Sequence, residues 1–141
     1  MKNEYPEVAK ILSENIFGTV ATVNEDGSPW VTPVHIFSDD EAVYWFSYED
    51  KEHSLNIERD PRVSLTIFSP DLSHGPKGVY VNGKATKLDD DATTVAKQLI
   101  VAKIGTIPPH FEHATGYRLA MGQLNSSKST GNCWYFYTKN V

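Results

Sequence analysis

The sequence predicts an α+β domain, mainly β, folded as a small antiparallel barrel with short helices at its links. Three observations carry that reading. About six or seven short stretches alternate apolar and polar side chains with the period of two that a half-buried strand requires. The links between the early stretches are only a few residues long and rich in Asp and Gly, which joins neighbouring strands antiparallel. Helical periodicity appears at only three places, each before or between strands.

Taken in order, Asn3 is placed to cap a first helix with Pro6 in its opening turn, where a missing N–H costs little. Val8, Ile11, Leu12 and Ile16 then fall on one apolar stripe, and Gly18 ends the helix. From Thr19 to Asn24 the period becomes two. Asp26-Gly27 turns the chain into a second strand, Trp30–Ser38, and Asp39-Asp40-Glu41 turns it into a third, Val43–Ser47. A helix over Lys51–Arg59, capped by Asp50 and stopped by Pro61, leads to a fourth strand, Arg62–Phe68. A loop over Ser69–Pro76 precedes a fifth strand, Gly78–Leu88, in which Gly83 marks a bulge or a close backbone approach. Asp89-Asp90-Asp91 opens a third helix with Val95, Leu99 and Ala102 as its buried stripe and Gly105 as its end. Tyr117–Leu124 and Cys133–Thr138 are the last strands, joined by the polar loop Asn125–Asn132. No repeat or linker interrupts the 141 residues, so they form one domain, 1–141.

Composition narrows the function classes. A net charge of −5 argues against nucleic acid as a partner, because binding it needs a basic face. No apolar run is long enough for a membrane span, and MKNEYPEV lacks the apolar core of a signal peptide, so the expected location is the cytoplasm. Cys133 is the only cysteine, which excludes an intrachain disulfide and a thiolate metal cluster.

The stretch with most chemistry is VYWFSYEDKEHSLNIERDPRVSL, Val43–Leu65. It gathers Ser47, Lys51, His53 and Ser54 at or just before a helix start, where backbone donors and the helix dipole favour an anion. Two readings fit: a phosphate seat, and a solvated cap with incidental charges. Pro33 lies mid-strand and cannot donate to a ladder, so that strand is an edge, a bulge, or the wall of a flat ligand. His35 reads as a structural histidine on the face of Val31, Pro33 and Phe37. His110 and His113, without a third ligand nearby, are a weak metal signal, and the expectation is no metal. Trp134, Tyr135 and Tyr137 put aromatics on the last strand as core, dimer seam or stacking wall. No nucleophile–base motif and no Gly-rich phosphate loop is present, so no catalytic residue is named.

The order GTVATVNEDGSPWVTPVHIFSDDEAVYWFS, EDKEHSLNIERDPRVSL and GVYVNGKATKL resembles the FMN-binding split-barrel family related to pyridoxamine 5′-phosphate oxidase. The resemblance is strongest over about Phe17–Leu88. It implies a split β-barrel acting as a homodimer, with FMN at the subunit interface and oxidoreductase chemistry done by the flavin. By position, Val31, Thr32, Pro33 and Val34 would lie against the isoalloxazine ring, with Phe46 and Ser47 beside the ribityl chain. Lys51, His53 and Ser54 would hold the phosphate. Two departures stand out. Glu52 and His53 occupy positions where the oxidase has an Arg-Lys pair, a variation that resembles the general stress protein members. The chain ends WYFYTKNV, without the Arg-x-His motif that grips pyridoxine phosphate, so that substrate is not carried over. The alternative is a non-catalytic stress-response module holding flavin or haem in the same barrel.

Overall fold

Two antiparallel sheets share one apolar interior, and the strands that pass from one sheet to the other give the fold its shape. The computed structural model describes residues 6–73, 77–122, 124–125 and 133–137. Helix α1 (Pro6–Glu14) buries Val8, Ile11 and Leu12. It stops sooner than the apolar stripe suggests. The Asn15 side-chain amide donates to the Ile11 carbonyl at 2.7 Å and so closes the last turn, leaving Ile16 beyond the helix and 56% exposed. Gly18 is not the helix stop but a member of β1 (Phe17–Val23). A Cβ there would come within 2.9 Å of Ile36 Cγ2, so a side chain is excluded by packing. Asn3 lies outside the described residues.

Strand β2 (Pro29–His35) pairs with β1 through the Asp26-Gly27 turn, where Gly27 takes a φ of 87° and Asp26 accepts from the Ser28 amide at 2.9 Å. The single strand expected over Trp30–Ser38 is two. At the fully buried Ile36 the chain leaves one sheet, and β3 (Phe37–Ser38) enters the other. Ile36 donates its amide to the Ile16 carbonyl at 2.9 Å, while its own carbonyl accepts from Lys103 Nζ at 2.6 Å. Alternation alone cannot reveal such a switch, because both halves keep the same period.

Strand β4 (Ala42–Ser47) is buried on both faces, which explains its continuous apolar run AVYWF. Helix α2 (Glu52–Arg59) follows, then β5 (Arg62–Phe68). The fifth expected strand also switches sheets, as β6 (Lys77–Lys84) and β7 (Thr86–Lys87) around buried Ala85. Gly83 is no bulge: it pairs with Val63 in a register that runs unbroken from Arg62–Lys84 to Phe68–Gly78.

The third helix is split at Lys97 into α3 (Asp90–Ala96) and α4 (Gln98–Ile104). The break shifts the helical phase, so Thr93, Ala96 and Ile100 are buried instead of Val95 and Ala102, and Val95 is 73% exposed. Gly105 ends α4 with a φ of 89°, as expected. A short 3₁₀ turn (Pro109–Phe111) leads to β8 (Thr115–Ala120), then β9 (Leu124–Asn125) and β10 (Cys133–Tyr137). Thus β8 ends four residues before the expected Leu124, and Leu124 belongs instead to a separate strand, β9, that takes in the first residue of the expected loop. Most of that loop lies outside the described residues, as does Thr138.

One sheet runs β2-β1-β5-β6-β10-β9 and the other β3-β4-β8-β7. All pairings are antiparallel except β9 with β10. Between the sheets lies the main core, with Trp45, Leu65, Ile67, Tyr117 and Leu119 at or near zero exposure. A second core of Phe37, Tyr44, Phe46, Ile100 and Phe111 fills the space between the four-stranded sheet and α3–α4. This is a mainly β, split-barrel α+β fold.

Candidate functional site

The three elements that carry every predicted binding residue are neighbours: β2 packs against both α2 and β4, and β4 runs into the turn that starts α2. What fixes α2 in this place is a residue the sequence reading passed over. Asn56 is fully buried; its Nδ2 donates to Thr22 Oγ1 at 3.0 Å and to Asn24 Oδ1 at 2.9 Å, and its Oδ1 accepts from Arg59 at 2.8 Å. An Asn between Leu55 and Ile57 in a helix was the available signal, since a buried amide demands partners.

At the start of α2, His53 Nε2 lies 2.9 Å from Ser47 Oγ. The pair ties the end of β4 to the first turn of the helix. The N-cap is Lys51, not Asp50, with extended backbone and no side-chain cap. The first internal helix bond runs from the Leu55 amide to the Lys51 carbonyl at 2.9 Å, so the first-turn amides ahead of it are spare donors. Lys51 is exposed beside them. Burial pulls the His53 imidazole below its usual range, and the Lys51 cation pulls the same way, both favouring the neutral ring. Glu52 is exposed in the same turn. Two further acids nearby are engaged by one cation: Lys87 Nζ lies 2.7 Å from Glu49 Oε1 and 3.3 Å from Glu58 Oε2.

The other predicted residues divide by exposure. Val31 and Pro33 share one exposed face of β2, and Thr32 is half-buried on the other. Val34 is a core residue, and the Phe46 ring is committed to the second core, 5.7 Å from Phe37 and 6.2 Å from Phe111. Ser54 is buried on the inner side of α2, near Tyr117. The structure therefore brings Ser47, Lys51 and His53 together and turns Val34, Phe46 and Ser54 inward. Pro33 sits on the end strand of the six-stranded sheet, as the edge explanation requires, and among the described residues no strand pairs with the outward side of β2.

These residues suit a phosphorylated planar cofactor such as FMN. Spare helix amides, a hydroxyl–imidazole pair and a cation match a phosphate, and an open strand edge matches the hydrogen-bonding rim of a flavin ring. His35 stacks on Phe37 at 4.5 Å with its buried Nε2 without a hydrogen-bond partner; burial, then Lys103 and His110, lower its pKa. Among the described residues no group of three or more His, Cys, Asp or Glu comes together to hold a metal. Among them, too, no helix is long and apolar enough to cross a membrane.

Comparison with known proteins gives one family. The family model described as pyridoxamine 5′-phosphate oxidase matches residues 5–121. No curated protein matches in sequence. Among solved structures, a conserved hypothetical protein from Mycobacterium tuberculosis is 19% identical with a TM-score of 0.74, over 94% of this chain and 83% of that one. The haem storage protein HutZ from Vibrio cholerae is 20% identical with a TM-score of 0.69, over 84% of this chain and 89% of its own. An FAD-binding protein from Mesorhizobium loti is 23% identical with a TM-score of 0.61, over 84% and 89%. At these identities the likeness is one of fold.

Proposed function

Because this chain belongs to the pyridoxamine 5′-phosphate oxidase family, we propose that it is a cytoplasmic FMN-binding protein with oxidoreductase activity, working as a homodimer. The observation that carries the proposal is the start of α2, where Ser47, His53, Lys51 and uncapped amides converge. When bound, the flavin supplies the electron transfer. The chain's own part is to seat the phosphate at Ser47, Lys51 and His53 and to offer the Val31–Val34 strand to the ring. No side chain is needed as acid or base, so none is assigned a catalytic role. The FAD-binding relative from Mesorhizobium loti supports a flavin in this fold.

A second copy of the chain would cover the outer face of the six-stranded sheet. Phe17, Val31 and Phe68 are 61%, 59% and 49% exposed on that face, an apolar surface of the kind that marks an interface. The FMN would lie at its border, against β2.

The direct test is an absorbance spectrum of the purified protein after incubation with FMN and desalting. Retained flavin bands are expected, and Lys51→Ala with His53→Ala should lose them while the protein stays folded. Absence of bands in the wild type, or equal retention in the double variant, would contradict the proposal. The second reading is a stress-response module that holds flavin or haem without turnover, and the haem storage protein of the same fold keeps it open. Bound FMN that NAD(P)H cannot reduce, or a haem absorption band in preference to flavin, would favour it.

A further inference from the structure

The spare amides at the start of α2 suit a phosphate, but the fixed side-chain charges around them add little net attraction. Lys51 is one cation, and Glu52 next to it is one anion. Asp50 adds another negative charge in the preceding turn. Glu49 and Glu58 share the single cation of Lys87, which leaves that trio negative as well. Arg59, in the last turn of α2, adds a cation that is bound to Asn56 Oδ1, and the two strands packed on the helix add no charge near its start. Thr22 of β1 and Asn24, just beyond it, meet Asn56, and β2 presents uncharged residues along Val31–Val34. Tyr117, from β8, is buried, and its phenol is pushed up by that burial, so it too is neutral. His53 is the imidazole carried by this helix start; His110 approaches the preceding turn through its backbone carbonyl, which accepts from the Tyr48 hydroxyl at 2.9 Å.

His53 is well placed to gain a positive charge. Its Nε2 is already engaged with Ser47 Oγ at 2.9 Å, which holds the ring beside the spare first-turn amides. In the free protein the proton is disfavoured, first by burial and then by Lys51. A phosphate dianion arriving at those amides reverses the second cause, because its charge outweighs that of Lys51 at close range.

Resting on the reading of this site as the FMN phosphate seat, we propose that cofactor binding is coupled to proton uptake by His53. The imidazole is neutral in the empty site and becomes imidazolium when the phosphate is seated. In proton terms, one proton moves from solvent to the His53 ring as FMN binds, and returns when FMN leaves. Affinity for FMN therefore falls as the pH rises above neutrality. The Ser47 hydroxyl, which accepts from or donates to the neutral ring, becomes an acceptor from the charged one.

The experiment is an FMN titration of the full chain, followed by flavin fluorescence, across pH. The expected result is about tenfold weaker binding at about pH 8.5 than at about pH 6.5, the change that an average uptake of about half a proton per FMN produces over such an interval. Below about pH 6 the trend should flatten as the phosphate itself takes up a proton. Riboflavin, which lacks the phosphate, should show no such trend. His53→Lys carries a permanent charge and should bind FMN with a dissociation constant independent of pH over the same range. Should that variant fail to fold, calorimetry of the wild type near pH 7 in two buffers of different ionisation enthalpy decides, and a fraction of a proton taken up per FMN is expected. FMN binding with a flat pH profile, or an equal trend for riboflavin, overturns the coupling while leaving the cofactor assignment intact. No FMN binding at any pH overturns both.

Discussion

Helices α2 and α3 begin in opposite ways. Helix α3 starts on Asp89, whose carboxylate accepts from the Ala92 amide at 2.8 Å, and continues with Asp90 and Asp91. That start is closed: its donors are satisfied and its field is negative. Helix α2 starts on Lys51, with no side-chain cap and a hydroxyl–imidazole pair alongside. Other helix ends in the chain are closed too, α1 by Asn15 and α4 by the left-handed Gly105. Among the described residues the start of α4 also lacks a side-chain cap, but it continues directly from α3, whereas the start of α2 is open and its helix packs against the edge strand β2. The contrast, more than any single residue, is what supports the proposal of a ligand at the start of α2.

The contrast can be broken by giving α2 the start of α3. Lys51→Asp should cap the helix and remove the cation, weakening FMN roughly 30-fold, about 2 kcal/mol, while the fold becomes no less stable. Unchanged FMN affinity in a titration of this variant would mean that the open start is not the seat. The reverse exchange, Asp89→Ala, should cost about 1 kcal/mol of stability and lower the thermal midpoint by about 4 °C. Calorimetry should register that loss with FMN affinity unaltered; a parallel loss of affinity would show that the two starts are not independent. Glu52→Lys should tighten FMN about threefold, about 0.7 kcal/mol, because the exposed acid is close to the seat but well screened. Looser binding by this variant would place the phosphate elsewhere.

The smallest effect concerns the end of α1. Lys103 Nζ donates to the carbonyls of Leu12, Asn15 and Ile36, yet burial lowers its pKa from 10.5 to about 8. A lysine with a depressed folded pKa releases its proton earlier when folded than when unfolded. The cost of keeping it charged is thus fully present below about pH 8 and disappears as the pH rises toward 10.5, so stability gains over that window. The gain is damped, since the side chain is only partly out of water. Urea unfolding at a series of pH values should show the rise in the wild type and its absence in Lys103→Met; identical slopes would remove Lys103 as the cause.

Local signals in the sequence carried far, and their limits have physical causes. Arg62–Phe68 is a strand with the bounds its alternation predicts, because one face meets the core and the other does not. Alternation cannot register a change of sheet, so the switches at Ile36 and Ala85 passed as continuous strands. The stripe Val95–Leu99–Ala102 assumed one unbroken helix, and the break at Lys97 moved Ile100 inward instead. At the site, the residue types around α2 were legible, but the facing of each was not. Ser54 and His53 are adjacent, and only the packing of Ile57 and Asn56 decides that the first turns in and the second meets Ser47. Family resemblance supplied the fold of the barrel; the absence of a cap on Lys51 is visible only in three dimensions.

The carbonyl of Ile36 is held by a side chain 67 residues further along. The corner at which the two sheets part is therefore latched from a distance. During synthesis, β1 to β5 and the first half of the barrel emerge well before Lys103 does. Until α4 is made and docks, that corner has its backbone amide bonded to Ile16 and its carbonyl without the ammonium that will hold it. The division between the sheets is drawn early in the chain and fastened late.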